Sequence, residues 1–171
     1  GRSVTRLRRP VPEKPAPGQE SVWDYPRPPR VESVRGRITI RLGGALVADT
    51  REGVRVLETS HPPVYYLPIA DFVPGALADA AGTSFCEFKG EARYFDVRGG
   101  DIVRAQAAWG YPHPARGYEV LADRVAVYAG LMDECSVNGE VVTPQPGGFY
   151  GGWITADVVG PFKGVPGSMG W

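Results

Sequence analysis

Short hydrophobic segments alternate with polar residues through most of the chain beyond residue 36. The alternation has a period of two in residues 37–42 (RITIRL), 45–48 (ALVA) and 54–58 (VRVLE). Such a period is typical of half-buried strands. Gly43 and Gly44 separate the first two segments and predict a two-residue hairpin turn, because glycine accepts the positive φ that these turns require.

Proline and glycine limit the segments that follow. Prolines confine residues 64–67 to a short or edge strand. Residues 69–81 have a helical composition that Pro74 interrupts, and they predict one or two short helical turns. A single helical turn is also predicted over residues 118–123.

A second hairpin is predicted from residues 83–88 and 91–97, which meet at Lys89 and Gly90. We expect the segments 125–128 and 132–137 to pair with each other. Other predicted strands cover residues 102–109 and 140–142.

Seven to nine short strands at such intervals predict a mainly β fold, either compact and barrel-like or built from two sheets, with minor short helices. The 23 glycines and 17 prolines among 171 residues exclude a helical bundle, because both residue types interrupt long helices.

Composition divides the chain into three parts. Residues 1–20 mix Pro, Arg and Gly without a hydrophobic period and predict an extended or disordered basic arm. Residues 21–143 are predicted to form a single β-rich domain, to which Trp23 and Tyr25 anchor the arm. Residues 144–171 form a tail rich in Gly, Pro and aromatic residues, which we expect to pack on the domain. Its aromatic residues expected to lie over the domain are Phe149, Tyr150, Trp153 and Phe162.

The 19 basic and 19 acidic residues are unevenly distributed. Residues 1–30 contain seven basic and three acidic residues, which leaves 12 basic and 16 acidic residues for the remainder. The remainder therefore offers no broad basic surface for nucleic acid. The sequence has no apolar run long enough to span a membrane and no signal-peptide pattern, so we expect no membrane contact and a cytoplasmic location. There, Cys86 and Cys135 are expected to stay free thiols.

Four blocks of sequence resemble a known bacterial family. The blocks are residues 56–66 (VLETSHPPVYY), 85–97 (FCEFKGEARYFDV), 108–114 (AWGYPHP) and 127–140 (VYAGLMDECSVNGE). In this order they resemble domain of unknown function 427, over about residues 20 to 171. The resemblance implies a compact, mostly β, barrel-like domain, and the family carries a nucleotidyltransferase label.

The residues give that label little support. Nucleotidyl transfer usually requires Mg²⁺ held by carboxylates beside a glycine-rich phosphate loop. The chain contains neither a GxxxxGK[ST] nor a GxGxxG motif, and Asp96 and Asp101 are not paired with another acid. Its two His and two Cys lie on separate segments without a CxxC spacing, so we expect no metal and no cofactor.

Cys86, Lys89 and His61 are the candidate catalytic residues. In the predicted hairpin, Cys86 and Tyr94 fall at similar distances from the turn and are expected to face each other. A nearby lysine favours the nucleophilic thiolate, and His61 is a candidate general base. The alternative is that Cys86 is a small core residue, Lys89 an exposed turn residue and His61 a hydrogen-bonded turn residue.

Polar-tipped aromatic residues near these positions predict an amphipathic pocket. The candidate ligand-binding residues are Tyr94, Trp109, Tyr111 and His113. The preferred function is therefore binding of a small-molecule or nucleotide-like ligand. One alternative is an enzyme with Cys86 as nucleophile and Lys89 or His61 assisting, and another is a scaffold that binds a protein partner through the aromatic tail.

Overall fold

A computed structural model describes residues 9–171 of the chain. The first eight residues of the predicted arm lie outside the described residues. The described part contains fifteen strands and four 3₁₀ helices. The helices span Val22–Asp24, Ile69–Asp71, Glu119–Leu121 and Ala129–Leu131. The strands are β1 (Glu20–Ser21), β2 (Arg30–Ser33), β3 (Ile38–Leu42), β4 (Ala45–Thr50), β5 (Val54–Leu57), β6 (Val64–Pro68), β7 (Leu77–Cys86), β8 (Gly90–Gly99), β9 (Ile102–Gly110), β10 (Arg124–Val127), β11 (Glu134–Val137), β12 (Glu140–Val141), β13 (Thr143–Pro144), β14 (Trp153–Ile154) and β15 (Val158–Val159).

Two antiparallel sheets dominate the fold. The larger has seven strands in the order β2-β5-β6-β10-β9-β8-β7, and the smaller has four in the order β12-β11-β3-β4. The main hydrophobic core contains residues of both sheets: Ile40 of β3 shares it with Leu67 of β6 and Val125 of β10. Two further two-stranded sheets join β1 to β15 in parallel and β13 to β14 in antiparallel fashion.

The prediction of a mainly β fold is confirmed, and its barrel-like form is wrong. In the part of the chain that the structure describes, the seven-stranded sheet ends at β2 and β7, and no sheet closes on itself. The strands β10 and β11, which we expected to pair, belong to different sheets. The 3₁₀ helix at Ala129–Leu131 lies between them and takes the chain from one sheet to the other.

The structure decides between the alternatives of one further expectation and corrects another. The strand at Val64–Pro68 is short, but it lies between β5 and β10 rather than at an edge. It tolerates this place because Pro62 and Pro63 precede the strand and Pro68 ends it, so no proline interrupts the ladder. Within residues 69–81 only the first three form a helical turn, and β7 begins at Leu77, which pairs with Val97.

The two main sheets also meet where their hairpins turn. Gly43 and Gly44 form the predicted turn between β3 and β4, and both have positive φ. A Cβ on Gly43 would lie 2.0 Å from the carbonyl oxygen of Gly99, at the end of β8, whereas a Cβ on Gly44 would meet open space. The backbone of the hairpin turn therefore packs directly on the backbone at the end of β8.

Both ends of the described chain contact the sheets. The Trp23 indole Nε1–H donates to the carbonyl of Pro161 at 2.9 Å, and Tyr25 is buried. Trp153 is 1% exposed, stacks on Tyr65 and donates its Nε1–H to the carbonyl of Val127 at 3.0 Å. Among residues 9–171, no helix is long and apolar enough to cross a membrane.

Candidate functional site

The larger sheet carries an aromatic cluster on the face that turns away from the main core. Successive side chains of a strand point to opposite faces. On β6, Tyr65 and Leu67 belong to the main core, and Tyr66 between them belongs to a separate cluster with Trp109 of β9 and Tyr111. The fold thereby places large aromatic rings side by side outside the core.

A cavity of about 290 Å³ lies over this cluster. We call it the aromatic cavity. It is lined by five residues that the sequence singled out, namely His61, Lys89, Tyr94, Trp109 and Tyr111. These residues come from distant parts of the chain, and the pairing of β8, β9 and β10 brings several of them together: Tyr94 is opposite Trp109, and Trp109 is opposite Ala126.

Cys86 and His113 do not line this cavity. The loop between β7 and β8 has three residues, so Cys86 pairs with Gly90 rather than facing Tyr94 as expected. Cys86 is half-buried against the aromatic cluster. The Tyr94 hydroxyl instead lies 2.7 Å from Ser84 Oγ, and the His113 side chain is exposed.

His61 has a defined tautomer. Its Nδ1 lies 3.0 Å from the carbonyl oxygen of Thr59, and because a carbonyl can only accept, Nδ1 carries the hydrogen. In the neutral ring Nε2 is then a hydrogen-bond acceptor. Burial lowers the pKa of His61, the charge of Lys163 also lowers it, and Glu58 opposes the shift. His61 is therefore neutral near pH 7 and able to accept a proton or a hydrogen bond.

Three phenols at the cavity remain protonated in the physiological range. Burial raises the pKa of Tyr66 well above its usual value, and it also raises the pKa of Tyr111 and Tyr128. These hydroxyls therefore serve as hydrogen-bond donors rather than anions.

The two oppositely charged side chains at the cavity differ in whether they form an ion pair. Glu58 has an ion pair with Arg27, whose Nε lies 3.8 Å from its carboxylate. Lys89 takes part in none of the ion pairs found between residues 9 and 171. Its ammonium instead lies 5.7 Å from the centre of the Tyr111 ring, a cation–π distance. Lys89 and Glu58 therefore both line the cavity, but among the described residues only the carboxylate of Glu58 has an ion-pair partner.

A glycine-rich strap, residues 147–152, forms one side of the cavity. A Cβ on Gly151 would lie only 2.0 Å from Cη2 of Trp109, so the strap backbone rests directly on the indole. Gln145 fixes the strap: its Oε1 accepts from the Gly152 amide at 3.0 Å and its Nε2 donates to the carbonyl of Lys163 at 2.8 Å. Tyr150 packs edge-on against His61, with ring centres 5.5 Å apart.

Sequence reasoning missed several lining residues. Tyr66, Tyr128 and Gly151 are the clearest examples. The spacing of two glycine pairs around Phe149 and Tyr150 was a usable signal, because backbone that touches an aromatic ring requires glycine.

Side chains suited to hold a metal do not converge in the described part of the chain. No group of three or more His, Cys, Asp or Glu residues is close enough there to bind one ion.

A comparison with models of protein families identifies the family of the chain. The family model described as a domain of unknown function, DUF427, matches residues 30–138. None of the curated proteins matches the chain. The matched region covers β2 through β11 and includes His61, Lys89, Tyr94, Trp109 and Tyr111, whereas the strap lies beyond it. The resemblance that the sequence blocks indicated is thereby confirmed, and the chain belongs to the DUF427 family.

Proposed function

We propose that the protein binds a small organic anion with a planar ring in the aromatic cavity. The observation that carries the proposal is the convergence of Lys89 with Trp109, Tyr111 and a neutral His61 on one cavity of about 290 Å³. Small-molecule sites commonly combine aromatic walls with a few polar groups that fix orientation.

The expected pose follows from the walls and the charge. Trp109 and Tyr128, with ring centres 4.5 Å apart, offer a surface for a planar ring. The Lys89 ammonium has no carboxylate partner and attracts an anionic group, such as a carboxylate, sulfonate or phosphate. The His61 Nε2 and the phenols supply hydrogen bonds at the ring edge. A nucleotide-like ligand stays within this class, because it combines a planar base with an anion.

The two alternatives have less support. A Cys86 nucleophile would act from outside the cavity, because Cys86 packs on the aromatic cluster and does not line it. A tail that binds a protein partner conflicts with Trp153, which is buried in the main core. The cytoplasmic location stays a prediction.

Titration with naphthalene-1-sulfonate tests the proposal, because this probe combines a planar ring with an anion. We expect one site per chain, and we expect Lys89→Gln to weaken binding about tenfold or more, the effect of losing one charge-assisted contact. Isothermal titration calorimetry gives stoichiometry and affinity.

Lys14→Gln is the matched control, because it removes the same charge from the exposed arm. Binding that is equally weakened by both variants, or unchanged by Lys89→Gln, would contradict the proposed site.

A further inference from the structure

A second hollow adjoins the aromatic cavity at the strap, whose residues contribute to the lining of both. It has a volume of about 390 Å³, and we call it the second chamber. Its own walls are Ala129, Gly130 and Leu131 of the 3₁₀ helix after β10, together with Pro144. Leu131 is 40% exposed. A single exposed leucine is common, but one that adjoins other exposed apolar groups indicates a binding surface.

The second chamber and the aromatic cavity have five lining residues in common. Tyr128, Gln145, Phe149, Tyr150 and Gly151 line both. Phe149 is 79% exposed although it is a large apolar residue, and it lies in contact with Tyr150, with ring centres 5.3 Å apart. An exposed phenylalanine thus stands at the boundary of the two spaces.

The two spaces differ in chemistry. The aromatic cavity is lined by Lys89, Glu58 and His61, whereas none of the residues 9–171 that line the second chamber is charged. The two amides in the second chamber already have partners: Gln106 Nε2 donates to the carbonyl of Ala81, and Gln145 bonds the strap. The second chamber therefore offers mainly apolar contacts.

The volumes of the two spaces can be compared with those of known ligand sites. Small-molecule sites commonly measure roughly 300–1,000 Å³. The aromatic cavity, at about 290 Å³, lies at the lower limit of this range, and the addition of the second chamber's 390 Å³ brings the whole well within it.

We propose that the second chamber is a subsite for the apolar portion of the ligand whose anionic ring occupies the aromatic cavity. The ligand class is therefore an elongated, amphipathic aromatic anion with its charge at Lys89 and an apolar ring or chain beside Leu131. This inference rests on the proposed function and adds the shape and polarity of the ligand to it.

Two probes that differ by one apolar ring test the inference. Naphthalene-1-sulfonate carries the anion and the first ring, and 5-anilinonaphthalene-1-sulfonate adds an anilino ring at the end of the naphthalene opposite to the sulfonate. We expect the longer probe to bind about tenfold more tightly, because it buries one more ring. Both affinities are measured by calorimetry at the same salt concentration, with fluorescence as a second readout for the longer probe.

Gly130→Leu is the decisive variant. A Cβ at Gly130 would have Pro144 as its nearest neighbour at 3.7 Å, an ordinary contact, so a leucine side chain can enter the second chamber without a backbone clash. We expect it to remove the advantage of the longer probe and to leave the affinity for the shorter probe unchanged. Gly130→Ala, which adds only a methyl group, should have a much smaller effect.

A second pair of variants tests the inference independently, in case Gly130→Leu fails to fold. Leu131→Ser removes an apolar wall of the second chamber, and Val120→Ser is its control, because Val120 is 41% exposed, also lies in a 3₁₀ helix and lines neither space. Only Leu131→Ser should weaken the longer probe.

The outcomes separate the two proposals. If the shorter probe binds in a Lys89-dependent manner but the longer probe binds no more tightly, or if Gly130→Leu and Leu131→Ser leave the longer probe unaffected, the second chamber is not a subsite and the proposed function stands. If neither probe binds the unmodified protein, both proposals fail.

Discussion

At the scale of single residues, the site contains a close approach of a glycine backbone to a tryptophan ring. Gly151 has no side chain, and the Trp109 indole occupies the space that a Cβ would fill. The ring is thus held from one side by the strap and from the other by its own sheet. Its position in the cavity depends on the absence of a single methyl group.

Gly151→Ala should therefore destabilise the protein by about 1–3 kcal/mol, because overpacking forces the indole or the strap to move. Urea unfolding measures the loss, and Trp fluorescence reports the displaced ring. Gly130→Ala is the control, because its Cβ meets nothing closer than 3.7 Å. Equal stabilities of the two variants would show that the strap does not rest on Trp109.

His61 predicts a specific pH dependence of stability. Burial lowers its pKa in the folded state, so the unfolded chain binds a proton at a higher pH than the folded chain does. The free energy of unfolding should therefore rise with pH from the folded-state pKa of His61 up to its unfolded value of about 6.5, and this contribution should be absent at lower pH.

The comparison of wild type with His61→Asn isolates this contribution. Asparagine retains an N–H that can donate to the Thr59 carbonyl but does not titrate. Urea unfolding of both proteins between pH 5 and 8 should give a difference that grows with pH, because all other groups cancel. A constant difference would contradict a buried, neutral His61.

Much of the candidate site could be predicted from residue types alone. Which of the candidate residues face each other depends on the register of the strands, which residue types do not give. His61, Lys89, Tyr94, Trp109 and Tyr111 could be singled out because groups with a polar tip and an apolar body suit a pocket wall. Whether Cys86 faces Tyr94 depends on the length of one loop. The period of the strands does not determine that length.

At the scale of elements, the contact of the β3–β4 turn with the end of β8 joins the two main sheets. Gly43 and Gly44 both have positive φ, but only Gly43 lies against Gly99. The positive φ of the turn favours glycine at both positions. The contact with the larger sheet requires glycine a second time, at Gly43 only.

These neighbouring glycines form a matched pair of variants. Gly44→Ala should cost about 1–2 kcal/mol, because alanine at positive φ is strained. Gly43→Ala should cost about 1–3 kcal/mol more than Gly44→Ala, because its methyl group also meets the Gly99 carbonyl. Chemical denaturation gives both values, and equal losses would mean that the turn does not pack on the larger sheet.

Most strands could be located from the sequence, whereas their partners could not. The period of two is local, so β3, β4 and β9 were found near their actual bounds. The pairing of β10 with β6 and β9 depends on where a 3₁₀ turn directs the chain. That direction is set by packing between sheets, which no local pattern contains.

At the scale of the whole molecule, residues far apart in sequence complete one core. Trp153 packs on Tyr65 and hydrogen-bonds Val127, and it belongs to the same core as β3 and β10. The C-terminal segment that carries the strap is therefore fixed through the core as well as at the cavity.

Trp153→Ala should lower the free energy of unfolding by about 3–5 kcal/mol, the usual cost of removing a large buried side chain. Phe149→Ala, four residues earlier and exposed, should change it by less than about 0.5 kcal/mol. Thermal and urea unfolding measure both. Similar effects of the two variants would mean that the C-terminal segment is not part of the core.

The alternation along β6 and β10 has an evolutionary consequence. In both strands, odd-numbered residues such as Tyr65 and Val125 contribute to the main core, and even-numbered residues such as Tyr66 and Ala126 contribute to the aromatic cluster. Under the proposed function, neighbouring codons therefore serve different purposes, one the main core and the next the wall beneath the bound ligand. A point mutation at an even-numbered position would then alter the ligand while the core persists, whereas a one-codon insertion in either strand would exchange the two sets of side chains and damage both.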